Sequence, residues 1–193
     1  MKRLLFVLSS ILIISFVDGN SPSGLNVGDM APDFKSVNQY GKEIHLKSLL
    51  KSGTVVLLFY RGEWCPYCNR ELKTLEDSLS MITAKGVTVI AVSPEKTENV
   101  SKTIEKTKAT YSIISDDSAK IMSMYKVAYN VDTTMTRRLK GYGVDLSERN
   151  GTNGNRLPVP AVYIINKDGK ITYRYFDVDY KKRASVKEII NNL

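Results

Sequence analysis

Thr54-Val55-Val56-Leu57-Leu58-Phe59-Tyr60-Arg61-Gly62-Glu63-Trp64-Cys65-Pro66-Tyr67-Cys68 is the stretch that decides how this chain folds. Its first seven residues are apolar or β-forming without alternation, the pattern of a strand covered on both faces of a sheet. Beyond Cys68, Leu72, Leu75, Leu79 and Ile82 recur at three- and four-residue steps and Gly86 supplies a stop, which predicts one amphipathic helix. The two cysteines therefore fall where a buried strand meets a helix N-terminus. Unsatisfied backbone N–H groups and the helix dipole favour a thiolate at such a place, and a second thiol nearby is positioned to attack whatever sulfur species the first one forms.

Cys65 and Cys68 are the only cysteines of the 193 residues. A bridge between them closes a loop too short to constrain the unfolded chain much, so the spacing reads as a redox disulfide rather than a structural staple. The one histidine, His45, leaves too few soft ligands for a Cys/His zinc site, which needs three or four. It reads as a partly buried strand residue. No cofactor is called for.

Outward from this centre the pattern continues. Val87–Val92 reads as a second core strand and residues 98–108 as a helix, a β-α-β-α rhythm that favours parallel pairing of the two strands. A short strand at Ile113-Ile114 and a helix over 118–125 follow. Residues 126–158 lose periodicity and, with Asn150-Gly151-Thr152-Asn153-Gly154-Asn155, read as a long surface insertion. Residues 161–165 and 171–176 flank Asp168-Gly169, an antiparallel hairpin signal, and 184–193 present one apolar helical face. Near the start, turn-rich Asn38–Gly41 between two extended stretches predicts an N-terminal β-hairpin. The class is α/β: a mixed central sheet flanked by helices, in one domain over residues 20–193.

Met1-Lys2-Arg3, the apolar run Leu4–Val17 and the step Val17-Asp18-Gly19 read as a signal peptide over residues 1–19, implying a secreted or periplasmic protein. The run is shorter than the about 18 to 20 residues that span a bilayer, so no stable membrane association is expected after cleavage. A net charge of +8 raises the question of nucleic acid, but the Lys and Arg are scattered without an accompanying motif, and the charge reads as a solvated surface. Asn99-Val100-Ser101 and Asn150-Gly151-Thr152 match the N-glycosylation pattern.

Three separated segments carry a family resemblance: Phe59–Cys68, Leu157-Pro158-Val159-Pro160-Ala161 and Asp179-Tyr180-Lys181-Lys182-Arg183-Ala184. Together they resemble the peroxiredoxin-like branch of the alkyl hydroperoxide reductase/thiol-specific antioxidant (AhpC/TSA, redoxin) family, which implies a thioredoxin-like fold. Laid on the family's Pro, Thr and peroxidatic Cys places without gaps, the chain offers Arg61, Cys65 and Cys68. The family's Arg before a later strand falls at Pro160, where thioredoxins keep a cis-proline; Pro158 is the alternative for a cis bond.

The resemblance implies a thioredoxin-dependent peroxidase in which a Cys68 sulfenate, formed by a hydroperoxide, is resolved by Cys65 and the disulfide is reduced by thioredoxin or a similar dithiol. Cys-x-x-Cys with Pro160 points instead to a thiol-disulfide oxidoreductase, with Cys65 the exposed attacking thiolate on a protein disulfide and Cys68 the resolving thiol. A redox-inactive binding module is the third reading. Arg61 is either a cation beside the thiolate or a strand-end surface residue. Trp64 and Tyr67 are either a recognition rim or packing around the motif.

Overall fold

The computed structural model describes residues 21–193. β1 (Lys35–Val37) and β2 (Glu43–His45) pair antiparallel as the expected hairpin, and α1 (Leu46–Ser52) leads into β3 (Val55–Phe59), the strand of the opening stretch. After the cysteine loop come α2 (Pro66–Asp77), α3 (Leu79–Thr83), β4 (Thr88–Ser93), α4 (Thr97–Thr107), β5 (Ser112–Ser115) and α5 (Lys120–Met124). β6 (Ala128–Asn130), α6 (Thr133–Gly141), α7 (Leu146–Asn150) and β7 (Arg156–Pro158) precede β8 (Ala161–Ile165), β9 (Ile171–Phe176) and α8 (Val186–Asn191).

The central sheet has five strands in the order β5-β4-β3-β8-β9. β3, β4 and β5 run parallel, with Val55 opposite Thr88, while β8 pairs antiparallel with β3 and β9 with β8. The thioredoxin-like α/β expectation with a mixed central sheet is met. β3 lies in the middle, which is why it shows no alternation: its side chains divide between two apolar layers by the two-residue period of a strand. Val55, Leu57 and Phe59 pack with Leu46, Leu50, Tyr125 and Tyr163 on one face. Val56, Leu58 and Tyr60 pack with Cys65, Cys68, Leu72, Leu75 and Ile82 on the other. The cysteine pair is thus part of a core layer.

Two expectations are corrected by the backbone. The helix predicted through Ile82 breaks at Ser78, whose φ of −111° and ψ of 6° leave the helical region, so α3 starts afresh. Serine competes with helix through its own side chain and tolerates such a turn. The segment 126–158 is not a loose insertion. β6 pairs with β7, and Val131, Val144, Leu146 and Leu157 form a small third core. Asp132 caps α6 by accepting from the Met135 N–H at 2.8 Å, and Asp145 caps α7. The Asn-Gly run is tied down as well. Asn150 donates to the carbonyls of Gly154 and Arg156, and Asn153 to those of Pro94 and Asp116. Asn150 is fully buried and Asn99 nearly so, which closes both sequons to modification of the folded chain.

The predicted signal segment lies outside the described residues. Among the described residues no helix is long and apolar enough to cross a membrane.

Candidate active site

Cys65 is the N-cap of α2 and Pro66 its first residue. Proline suits that position because its fixed φ is helical and its missing N–H has no partner to lose there. Cys68 follows one turn later on the same helical face, pointing into the sheet-side core. The loop that delivers Cys65 is held from several sides. Gly62 has a φ of +151°, and a Cβ there would fall 2.7 Å from the Glu95 carboxylate, so only glycine fits. The Glu63 N–H donates to Glu95 at 2.7 Å, Asn69 donates to the Glu63 carbonyl at 2.7 Å, and the Glu63 carboxylate is ion-paired with Lys106 of α4 and Arg149 of α7.

The two thiols are displaced in opposite directions. A hydrogen bond from the Cys68 thiol is the largest influence on Cys65, helped by the Cys68 backbone N–H and by the Arg61 and Arg183 cations; against the cost of burial, they hold Cys65 down at about 6. Cys68 is pushed well above the ordinary thiol range, first by burial and then by its partner. Both residues are nearly closed to solvent, Cys65 being 1% and Cys68 0% exposed. They differ in access. Cys65 lines an open groove of about 400 Å³ together with Arg61, Trp64 and Tyr67, whereas Cys68 does not reach it.

Arg61 is buried at 3% exposure, which overturns its reading as a strand-end surface residue. Its guanidinium lies 4.1 Å from the Tyr180 ring centroid and 4.9 Å from that of Trp64, a cation held by aromatic faces rather than by a carboxylate. Trp64 and Tyr67 are half-buried: they pack against the core layer and also line the groove.

Pro160 immediately precedes β8, and because Phe59 pairs with Ala161, it stands beyond the end of β3 from which the cysteine loop departs. The described residues contain no cis peptide bond, so the cis expectation for Pro160, and for Pro158 as its alternative, is corrected. A trans proline fits there because it sits outside the paired residues and owes the ladder no N–H; its neighbour Val159 donates to Val127 instead. Cys65 is not the exposed thiol that disulfide exchange suggested, since it packs within the apolar layer and is reached only through the groove. His45 ends β2, with ring nitrogens against Asp33 at 2.9 Å and Ser48 at 3.0 Å.

Several polar neighbours escaped the sequence reading. Arg183 Nη2 lies 3.5 Å from the Cys68 sulfur, and its Nε is ion-paired with Glu71 at 2.7 Å. Burial pushes the Glu71 carboxyl up to about 8 against the pull of Arg183. Glu95 is likewise pushed up to about 8 by burial. The position of Glu71, three residues after Cys68, is a helical-face signal. Arg183 lies in the segment 179–184 that carries the family resemblance, yet no local pattern there assigns it a contact with the cysteines.

This is a dithiol site: a groove-lining thiol held as thiolate at a helix N-terminus, with a neutral buried thiol one turn away. A profile of the AhpC/TSA family matches residues 27–174. The chain belongs to the AhpC/TSA family. It is 31% identical over 160 residues to a Helicobacter pylori protein named for the bcp peroxiredoxins, covering 83% of this chain and 93% of that one. It is 24% identical over 160 residues to the thiol-disulfide oxidoreductase ResA of Bacillus cereus, covering 82% of this chain and 75% of the other. The solved structure of peroxiredoxin 6 from Arenicola marina superposes with a TM-score of 0.69 at 19% identity, over 86% of this chain and 71% of that one, and shows the fold alone. This AhpC/TSA chain is a thiol-based oxidoreductase.

Proposed function

We propose that the chain reduces disulfides, with Cys65 as the attacking thiolate and Cys68 as the resolving thiol. The observation that carries this reading is the asymmetry of the pair: Cys65 caps α2 and lines the groove, and Cys68 lies behind it in the core. The Cys65 thiolate attacks one sulfur of a substrate disulfide, forming a mixed disulfide and expelling the other sulfur as a thiolate that takes a proton from solvent. Cys68 then loses its proton and attacks the Cys65 sulfur. The Cys65–Cys68 disulfide forms and the second substrate thiol leaves. The substrate gains two electrons and the enzyme loses two, which thioredoxin or a similar dithiol restores.

A second reading has its own support. The relative at 31% identity is named for peroxiredoxins, and Arg183 sets a cation 3.5 Å from the Cys68 sulfur. In that reading the Cys68 thiolate takes one oxygen from a hydroperoxide, releasing an alcohol, and Cys65 condenses with the sulfenate to give water and the same disulfide. For either reaction, residues 20–193 form the working domain and residues 1–19 a cleaved export signal, supported by Lys2-Arg3 ahead of an apolar run.

The test is to mix the reduced protein with limiting hydrogen peroxide or with a small disulfide and compare the second-order rates at pH 7. Disulfide reduction that outpaces a free thiol, with peroxide consumed no faster than by one, supports exchange. Rapid peroxide loss with a trapped sulfenate on Cys68 in Cys65→Ser overturns it in favour of the peroxidase.

A further inference from the structure

The groove beside Cys65 has walls that the two-thiol chemistry does not use. Besides Arg61 and Trp64 it is lined by Arg138, Leu139 and Tyr142 from the end of α6 and by Lys181 from the segment before α8. Apolar and aromatic surface alternates there with three cations, and no acidic side chain lines it. Among the described residues none of the three cations is ion-paired: the nearby bridges are Lys140 with Asp145, Lys182 with Asp177 and Arg183 with Glu71. Arg61 is the most telling, since among the described residues its buried guanidinium has an unpartnered Nε and no carboxylate partner, only two aromatic faces and the single negative charge of the Cys65 thiolate beside it.

The geometry points to an acidic peptide segment as the occupant: extended chain carrying the substrate cysteine, with Asp or Glu and apolar side chains beside it. This deepens the disulfide-reductase reading and rests on it. Apolar side chains would meet Leu139 and Tyr142 while carboxylates meet Arg138 and Lys181, bringing the cysteine to Cys65. Charge complementarity sets the choice of partner. A second copy of this chain, at a net charge of +8, is repelled, and a short neutral disulfide leaves the cations unused. α6 therefore acts as a specificity wall built on the segment that sequence patterning reads as an insertion.

The test uses short peptides with one central cysteine, held as mixed disulfides with 2-mercaptoethanol and flanked by Asp and Leu or by Lys and Leu. Glutathione disulfide and bis(2-hydroxyethyl) disulfide are run alongside with the full mature chain. Expected is reduction of the acidic peptide about tenfold faster than the basic one, shrinking as NaCl screens the groove. The same ratio should fall toward unity in Arg138→Gln/Lys181→Gln and invert in Arg138→Glu/Lys181→Glu, each variant normalised to its own rate on the neutral disulfide. Equal rates for the two peptides overturn the inference while leaving the reductase reading intact. Glutathione disulfide reduced as fast as the acidic peptide also overturns it, in favour of a small anionic substrate. No reduction of any of the four disulfides overturns the reductase reading itself, and this inference with it.

Discussion

A difference of one helical turn separates two cysteines that would be chemically alike in water. Cys65 receives the Cys68 hydrogen bond and the helix-end N–H, and it is held near 6; Cys68 receives burial and a neighbouring negative charge, and it is pushed up. Alkylation of Cys65 by iodoacetamide should therefore rise with pH through a midpoint near 6 and then level off. In Cys68→Ala the largest stabilising contact is gone, and the midpoint should move up toward the about 8.5 of a free thiol. An unchanged midpoint would assign the effect to the helix end and the arginines alone. Arg183 and Glu71 form the other residue-level unit. Arg183→Met leaves a buried carboxyl without its cation and should cost about 1 to 3 kcal/mol by urea denaturation, less than a fixed buried charge costs because Glu71 can protonate. Glu71→Gln in the same chain should recover much of that loss; a strictly additive double variant would contradict the coupling.

At the scale of elements, what was legible in the sequence follows burial. β3, β4, β8 and the β8-β9 hairpin announce themselves because a middle strand must be apolar on both faces and a tight antiparallel turn needs residues such as Asp168-Gly169. The Cys65-to-Cys68 spacing at a strand-to-helix junction announces the site. The β6-to-β7 segment does not, because its order rests on capping aspartates, buried asparagine side chains and only four buried apolar residues, none of which makes a period. Arg183 arrives from the far end of the chain, and no local pattern signals a contact over 115 residues. The packing of that segment is testable: Leu157 is fully buried in the third core, and Leu157→Ala should cost about 2 to 5 kcal/mol in chemical denaturation. A loss below about 0.5 kcal/mol, as for a surface position, would mean that the segment is not packed as described.

For the whole molecule, the buried titratable groups around the site tie stability to pH in opposing senses. Glu95 is raised to about 8, so between the ordinary carboxylate range and 8 the folded state holds a proton that the unfolded chain releases; its contribution is full at low pH and is lost as pH rises through 8. Cys65 is lowered to about 6, so its contribution is present above the ordinary thiol range and is lost as pH falls through 6. Urea midpoints at pH 5.5 and pH 7.5 should show Glu95→Gln gaining stability relative to the parent as pH rises, and Cys65→Ala losing it. Each slope is bounded by about 1.4 kcal/mol per pH unit. Parallel curves would mean that neither group is displaced. The central claim, that Cys65 attacks and Cys68 resolves, is tested most directly by trapping. Cys68→Ser and Cys65→Ser proteins are mixed with a peptide disulfide, quenched in acid, and the adducts are located by mass spectrometry. A stable mixed disulfide on Cys65 is expected in Cys68→Ser and none in Cys65→Ser. An adduct that forms readily on Cys68 in Cys65→Ser, with Cys68→Ser inert, would contradict it.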